Sequence, residues 1–195
     1  MDVQLATRKD DSEREPETPA PDENHDRFVY VSVHDPLARP LLDDLAYEYS
    51  SRYAGLIDLE EIAKEMKRYP AEAFTPPQGA FVLLLRDGQP IAGGAFMPHE
   101  DAGTTEFKRI WASRAHRRQG LGRRVLAELE SQARRQGYTR VYLGTGPRQP
   151  EAVAMYLANG YTLLSSHDFG EEEPPGVLFE KDLNKKATPG NLSKE

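Results

Sequence analysis

The sequence predicts one mixed α/β domain of the α+β kind, a largely antiparallel sheet flanked by helices. Three observations predict it. Short runs of β-branched and aromatic residues recur with brief connections through the first half of the chain, which suits antiparallel pairing. A strongly amphipathic segment, 121–133, follows directly on one of these runs. Strand and helix patterns then alternate to the end. At 195 residues the chain has room for a single domain.

Taken in order, 27–33 (Arg-Phe-Val-Tyr-Val-Ser-Val) reads as the first strand. Asp35 and Pro36 form a cap and first-turn pair, after which Leu41, Leu42, Leu45 and Tyr49 recur at helical spacing. A second helix is expected at 59–69, with Leu59, Ile62, Ala63 and Met66 as its apolar face, and 70–79, containing Pro76-Pro77, as a loop. Strands follow at 80–85, 90–97 and 104–112. Asp87-Gly88 suits a tight hairpin between the first two, and Gly93-Gly94 marks a bulge or a close backbone approach. The amphipathic helix presents Leu121, Val125, Leu126, Leu129 and Ala133 to the core. Arg123, Arg124, Glu128 and Glu130 are expected to face outward, and the helix stops at Gly137. A strand at 140–145, a helix near 150–158 and strands at 161–166 and 176–183 complete the domain, 27–184.

The ends differ in kind. Residues 1–26 contain nine acidic and three basic side chains and no aromatic, too little apolar surface to offset ordering, and are expected to be a disordered acidic tail. Residues 185–195 form a second, short polar tail. Of the formal net charge of -7, the N-terminal tail carries -6, so the domain is nearly neutral. It offers no electrostatic case for nucleic acid or for a membrane surface. With no cysteine there are no disulfides, no thiolate metal sites and no cysteine acyl-enzyme. The five histidines show no metal-ligand spacing, so no metal is expected. No apolar run is long enough for a membrane helix and no signal-peptide core is present, which makes a cytoplasmic enzyme, monomer or homodimer, the expectation.

The chemistry concentrates at Arg117-Arg118-Gln119-Gly120-Leu121-Gly122. This turn lies between a strand and a helix start, where backbone N–H groups lack intrahelical acceptors and the helix dipole is positive, so it can hold an anion. Gly120 and Gly122 allow a bulky diphosphate close to the main chain. A dinucleotide-binding fingerprint would need a third glycine where Val125 stands, and no phosphate-loop Gly-Lys-Ser occurs.

With these residues in view the chain resembles the GNAT superfamily of acyl-CoA-dependent N-acyltransferases. Glu106-Phe107-Lys108-Arg109-Ile110-Trp111-Ala112 leading into the glycine turn is similar to the family's acetyl-CoA signature. The segment from Gln149 through Ala152, Tyr156 and Gly160 to Tyr161 is similar to its Asn-x-x-Ala-x-x-x-Tyr helix ending in Gly-Phe, with Gln149 for Asn and Tyr161 for Phe. The closing strand Leu178-Phe179-Glu180-Lys181-Asp182-Leu183 is the third match.

The resemblance implies a centrally splayed sheet and acetyl-CoA as cosubstrate. Arg117, Arg118, Gln119, Gly120, Leu121, Gly122 and Arg123 would hold the coenzyme phosphates. The main chain of Ile110, Trp111 and Ala112, with Gln149, would meet the pantetheine arm as an added strand does. It also implies Glu106 as the base that frees the amine and Tyr156 as the acid that protonates the departing thiolate. Glu106 is equally readable as a partner of Lys108, and Tyr156 as core. Arg118, Arg123, Arg124 and Arg148 are either phosphate ligands or solvated surface. Alternation places Lys108 and Arg109 on opposite faces, one of them lining the acceptor cleft or pairing with a neighbouring element. The expected reaction is direct acetyl transfer to a primary amine, of a small molecule ahead of a protein. A non-catalytic acetyl-CoA-sensing module is the alternative.

Overall fold

A computed structural model of the chain describes residues 26–56, 60, 64, 67–168 and 175–185. Both predicted tails, Asp26 and Lys185 excepted, fall outside these residues, as does most of the predicted helix at 59–69. Seven strands form one sheet: β1 (Arg27–Tyr30), β2 (Ala80–Arg86), β3 (Gln89–Pro98), β4 (Thr104–Ala112), β5 (Arg140–Thr145), β6 (Thr162–His167) and β7 (Gly176–Asp182). Their order is β1-β2-β3-β4-β5-β7-β6. Three α-helices accompany them among the described residues: α1 (Arg39–Arg52), α2 (Leu121–Arg135) and α3 (Pro150–Ala158).

Local chemistry accounts for the connections. The Asp35 carboxylate accepts from the Leu37 N–H at 2.9 Å and caps the short 3-10 turn Pro36–Ala38 that leads into α1. Asp87 and Gly88 both have positive φ, 50° and 80°, the backbone of a two-residue hairpin turn matching the strand twist. β2, β3 and β4 then run antiparallel. The β4–β5 pair is the parallel one, because α2 forms the crossover between them. The loop expected at 70–79 contains one 3-10 turn, Ala71–Phe74.

The core has two parts, one on each face of the sheet. On one face α2 buries Leu121, Val125, Leu126, Leu129 and Ala133 against Val82, Ala92, Phe96 and Phe107. Each large side chain so buried contributes roughly 1.5–3 kcal/mol relative to exposure. Gly94 permits this approach: a Cβ there would stand 3.0 Å from Leu129 and 2.8 Å from Ile110. On the other face Leu41 and Leu45 of α1 pack with Phe74, Phe81, Leu83, Leu85 and Trp111.

Two expectations fail here. Glu130 does not face outward. It is buried, accepts from the Tyr161 hydroxyl at 3.0 Å and from Lys181 Nζ at 2.7 Å, and lies 3.6 Å from Arg134. Its position in α2 points at β7, where Lys181 supplies the compensating charge that burial demands. Asp26, counted with the tail, is also anchored. Its carboxylate is held by Arg86 at 2.8 and 3.0 Å and by Arg124.

Candidate functional site

β4 and β5 pair only over residues 104–107 and 140–143. Beyond this seam β4 runs on to Ala112 beside β3, and β5 to Thr145 beside β7, with no pairing between them. The sheet is therefore split, and the split widens toward the C-terminal ends of both strands. Backbone groups that face such an opening need partners from elsewhere.

β4 also carries a bulge. Gly93 pairs with Trp111 but Ala95 with Lys108, so β4 has one residue too many, and Arg109 takes up φ 58°. This corrects the expectation for the two basic residues. Lys108 Nζ lies 4.9 Å over the Tyr69 ring and the Arg109 guanidinium 4.5 Å over Phe74, and those two rings pack edge to face. Both cations thus share the α1 face. Beyond the bulge Ile110 and Ala112 pack toward α2, while Trp111 enters the α1-side core and donates its indole N–H to Asp44 at 3.1 Å. What Ile110, Trp111 and Ala112 present to the split is main chain.

Glu106, at the end of the seam, also lies on the α1 face and pairs with Lys108 at 2.7 Å. Burial alone would lower the Lys108 pKa, but the Glu106 carboxylate, with the Tyr69 hydroxyl, outweighs it and holds the ammonium above its ordinary range. Tyr142, opposite Glu106 on β5, has its phenol pushed up by burial and then by the Glu106 charge, and its ring lies 4.8 Å from that of His99. Tyr69, His99 and Tyr142 did not stand out in the sequence. They converge with Glu106 and Lys108 only in the fold: Tyr142 by β4–β5 register, His99 through its ring against Tyr142, and Tyr69 through its ring under Lys108.

Tyr156 of α3 is on the opposite face, buried, with its ring against Tyr161 and Phe179. Burial drives its pKa up, and Tyr49 of α1 adds to the rise.

At the wide end the β4–α2 turn shows how it can hold an anion. Gly120 has φ 71°, a conformation suited to glycine, and makes no side-chain cap. At the helix start the Arg124 N–H donates to the Gly120 carbonyl at 3.2 Å, and the N–H groups just before Arg124 have no acceptor within the helix. At Gly122 a Cβ would stand 2.5 Å from Met155 Sδ, so this glycine also lets α2 and α3 converge. Leu121 sends its side chain into the core, whereas Arg118 and Arg123 are exposed. Arg86 donates to the Gln119 side chain at 2.9 Å and Arg117 is bound to Glu48 of α1. On the β5 side the Gln149 side-chain Oε1 turns back to accept from the Thr145 hydroxyl and, at 3.4 Å, from the Gly146 N–H. Arg124 is held by Asp26, and Arg148 donates to the Arg52 carbonyl at 3.0 Å. Among the described residues no group of three or more His, Asp or Glu side chains is placed to hold a metal ion, and no helix is long and apolar enough to cross a membrane.

A split mixed sheet with a glycine-bearing helix start at its open end defines a class of acyl-transfer fold. The profile of the acetyltransferase (GNAT) family matches residues 42–161, and the chain belongs to that family: it is an acetyltransferase. Among similar proteins, the IAA acetyltransferase of Azospirillum brasilense is 27% identical over 135 residues, covering 69% of this chain and 80% of its own. A structure from Klebsiella pneumoniae assigned as an acyl-CoA N-acyltransferase superimposes with TM-score 0.62 at 25% identity, over 82% of this chain and 98% of that one. The PaiA N-acetyltransferase of Thermoplasma acidophilum, solved in complex with coenzyme A, gives TM-score 0.62 at 17% identity, over 80% and 98%.

Proposed function

We propose that the protein transfers an acetyl group from acetyl-CoA to the primary amine of a small molecule, by direct attack with both substrates bound. The observation that carries this reading is the split. It leaves the edges of β4 and β5 unpaired beside the turn at Gly120, so an amide-bearing arm has strand edges to lie against and its diphosphate has N–H groups to meet. The main chain at Ile110, Trp111 and Ala112 would pair with the arm. Residues Arg117 to Arg123 would surround the phosphates, and the Gln149 amide would flank the arm from the β5 side.

The placement of the two candidate proton carriers supports the same reading. Glu106 approaches the split from the α1 face and Tyr156 from the α2–α3 face. A lysine-like amine, with a pKa near 10.4, is cationic at neutral pH and must lose a proton before its nitrogen can attack. Glu106 takes that proton, directly or through water. As the new C–N bond forms and the C–S bond breaks, Tyr156 gives its proton to the leaving sulfur, and the second proton shed by the attacking nitrogen restores the phenol. Burial keeps the phenol protonated until then. Lys108, bound to the same carboxylate, orients Glu106.

The test is thiol release from acetyl-CoA over a panel of amines, with wild type and Glu106→Gln assayed from neutral to alkaline pH. The variant is expected to lose roughly 10²–10⁴-fold near pH 7 and to recover as free amine accumulates toward about pH 10. A uniform loss with an unaltered pH profile would remove Glu106 from the chemistry. Coenzyme binding without thiol release on any amine would make the protein a binding module.

A further inference from the structure

We infer that Glu48 and Arg52 form an ionic strap across the wide end of the split, and that the coenzyme diphosphate enters by displacing Glu48 from Arg117. The inference rests on the coenzyme reading above and adds a residue that opposes binding. The two side chains lie one turn apart on α1, 3.7 Å from each other. Glu48 reaches the β4 side, where it binds Arg117 and lies 3.9 Å from Arg114. Arg52 reaches the β5 side. It donates to the Arg148 carbonyl at 2.8 Å and binds Glu151, and Arg148 returns a bond to the Arg52 carbonyl at 3.0 Å. The neighbouring Tyr53 tightens this second grip: its hydroxyl accepts from Arg148 N–H at 3.4 Å and lies where a Cβ on Gly146 would be.

The two grips differ in what an arriving anion does to them. On the β5 side the Arg52–Glu151 pair is backed by two further bonds, from Arg52 to the Arg148 carbonyl and from Arg148 to the Arg52 carbonyl, which an anion would also have to break. On the β4 side no main-chain bond backs the grip: the Glu48 carboxylate binds Arg117, three residues before Gly120, with Arg114 3.9 Å away. A diphosphate docking there is repelled by Glu48 and attracted by Arg117, so it draws the guanidinium away. Glu48 is then left with Arg52 and Arg114, which keep it compensated. Glu48 is thus a positioning residue: it holds Arg117 before the coenzyme arrives and weakens the coenzyme's hold afterwards.

The consequence has an unusual sign. Removing this carboxylate should tighten coenzyme binding, whereas loss of a merely structural contact would weaken it or leave it unchanged. The test is calorimetric titration of the full chain with coenzyme A at about 0.05 M and about 0.5 M salt. Glu48→Gln is expected to bind about two- to fivefold more tightly than wild type at low salt, the range for one partly exposed charge pair, with the gap closing at high salt. Glu48→Asp withdraws the charge by one methylene and should fall between, which keeps the test alive if the Gln variant does not fold. Glu100→Gln, an equal charge loss on the exposed β3–β4 connection, should match wild type. Equal or weaker binding by the folded Glu48 variants, or the same tightening by Glu100→Gln, would overturn the strap. Failure of wild type itself to bind coenzyme A would overturn the coenzyme reading beneath it.

Discussion

Lys181→Met tests whether the buried charge on α2 is compensated as described. Lys181 Nζ donates to Glu130 Oε1 at 2.7 Å and to the Asn159 carbonyl at 2.8 Å, and the two side chains of the pair are only 15% and 9% exposed. Breaking a buried ion pair from one side costs about 3–5 kcal/mol, because the remaining charge stays desolvated. Here Glu130 keeps the Tyr161 hydroxyl at 3.0 Å and Arg134 at 3.6 Å, so the loss should lie near about 2–4 kcal/mol. In a domain of this size that lowers Tm by roughly 5–15 °C. Adding Glu130→Leu removes the stranded charge and should restore most of the stability, a strongly non-additive cycle. Denaturant melts of the four proteins followed by circular dichroism provide the measurement. A loss under about 1 kcal/mol for Lys181→Met, with additive effects in the cycle, would mean that the pair behaves as exposed surface and that Glu130 is not desolvated.

Tyr156→Phe keeps the ring against Tyr161 and Phe179 and deletes only the hydroxyl. The kcat is expected to fall by roughly 10²–10⁴ while coenzyme affinity and the melting curve stay as in wild type, and an unchanged kcat with chemistry rate-limiting would return Tyr156 to the core. Asp26 is held well below the ordinary carboxylate range by the hydrogen bond from Arg86, against the opposing effect of burial and with help from Arg124. A depressed folded pKa stabilises above the unfolded value, near 3.9, and that contribution is lost as pH falls through the folded value. Asp26→Asn should therefore lower Tm at pH 7, with the difference from wild type shrinking below about pH 4; a difference independent of pH would show that its charge contributes nothing.

The elements were legible because their signals are local. The β5 range 140–145 and the β4 range 104–112 coincide with the expected ones, and Asp87-Gly88 specified its own turn. The turn before α2 was legible for the same reason, since glycines and a helix start lie together in sequence. What could not be read depends on partners distant along the chain. Glu130 reads as a surface acid because an unpaired carboxylate belongs in water, and its partner Lys181 lies 51 residues on. Glu48 and Arg52 look like an ordinary helical pair. Their meaning comes from Arg117 and Arg148, which the sheet brings to opposite sides of one opening. Tyr69, His99 and Tyr142 carry no motif at all; register sets Tyr142 opposite Glu106, and Tyr69 and His99 reach the same place from the connections before β2 and after β3.

The extra residue in β4 changes what variation at the site can do. A pleated strand has a reading frame of two, and the insertion at Arg109 shifts that frame halfway along. Before the shift Glu106 and Lys108 share the α1 face; after it Trp111 does, and Ile110 and Ala112 take the other. Replacing Arg109 by another residue that accepts its backbone leaves this order intact. Deleting it would leave an unbroken alternation in which Ile110, Trp111 and Ala112 keep their present faces, so what would be lost is the local bend and twist of the bulge and not the side-chain order. What the extra residue supplies is the path of the strand rather than the order of its side chains.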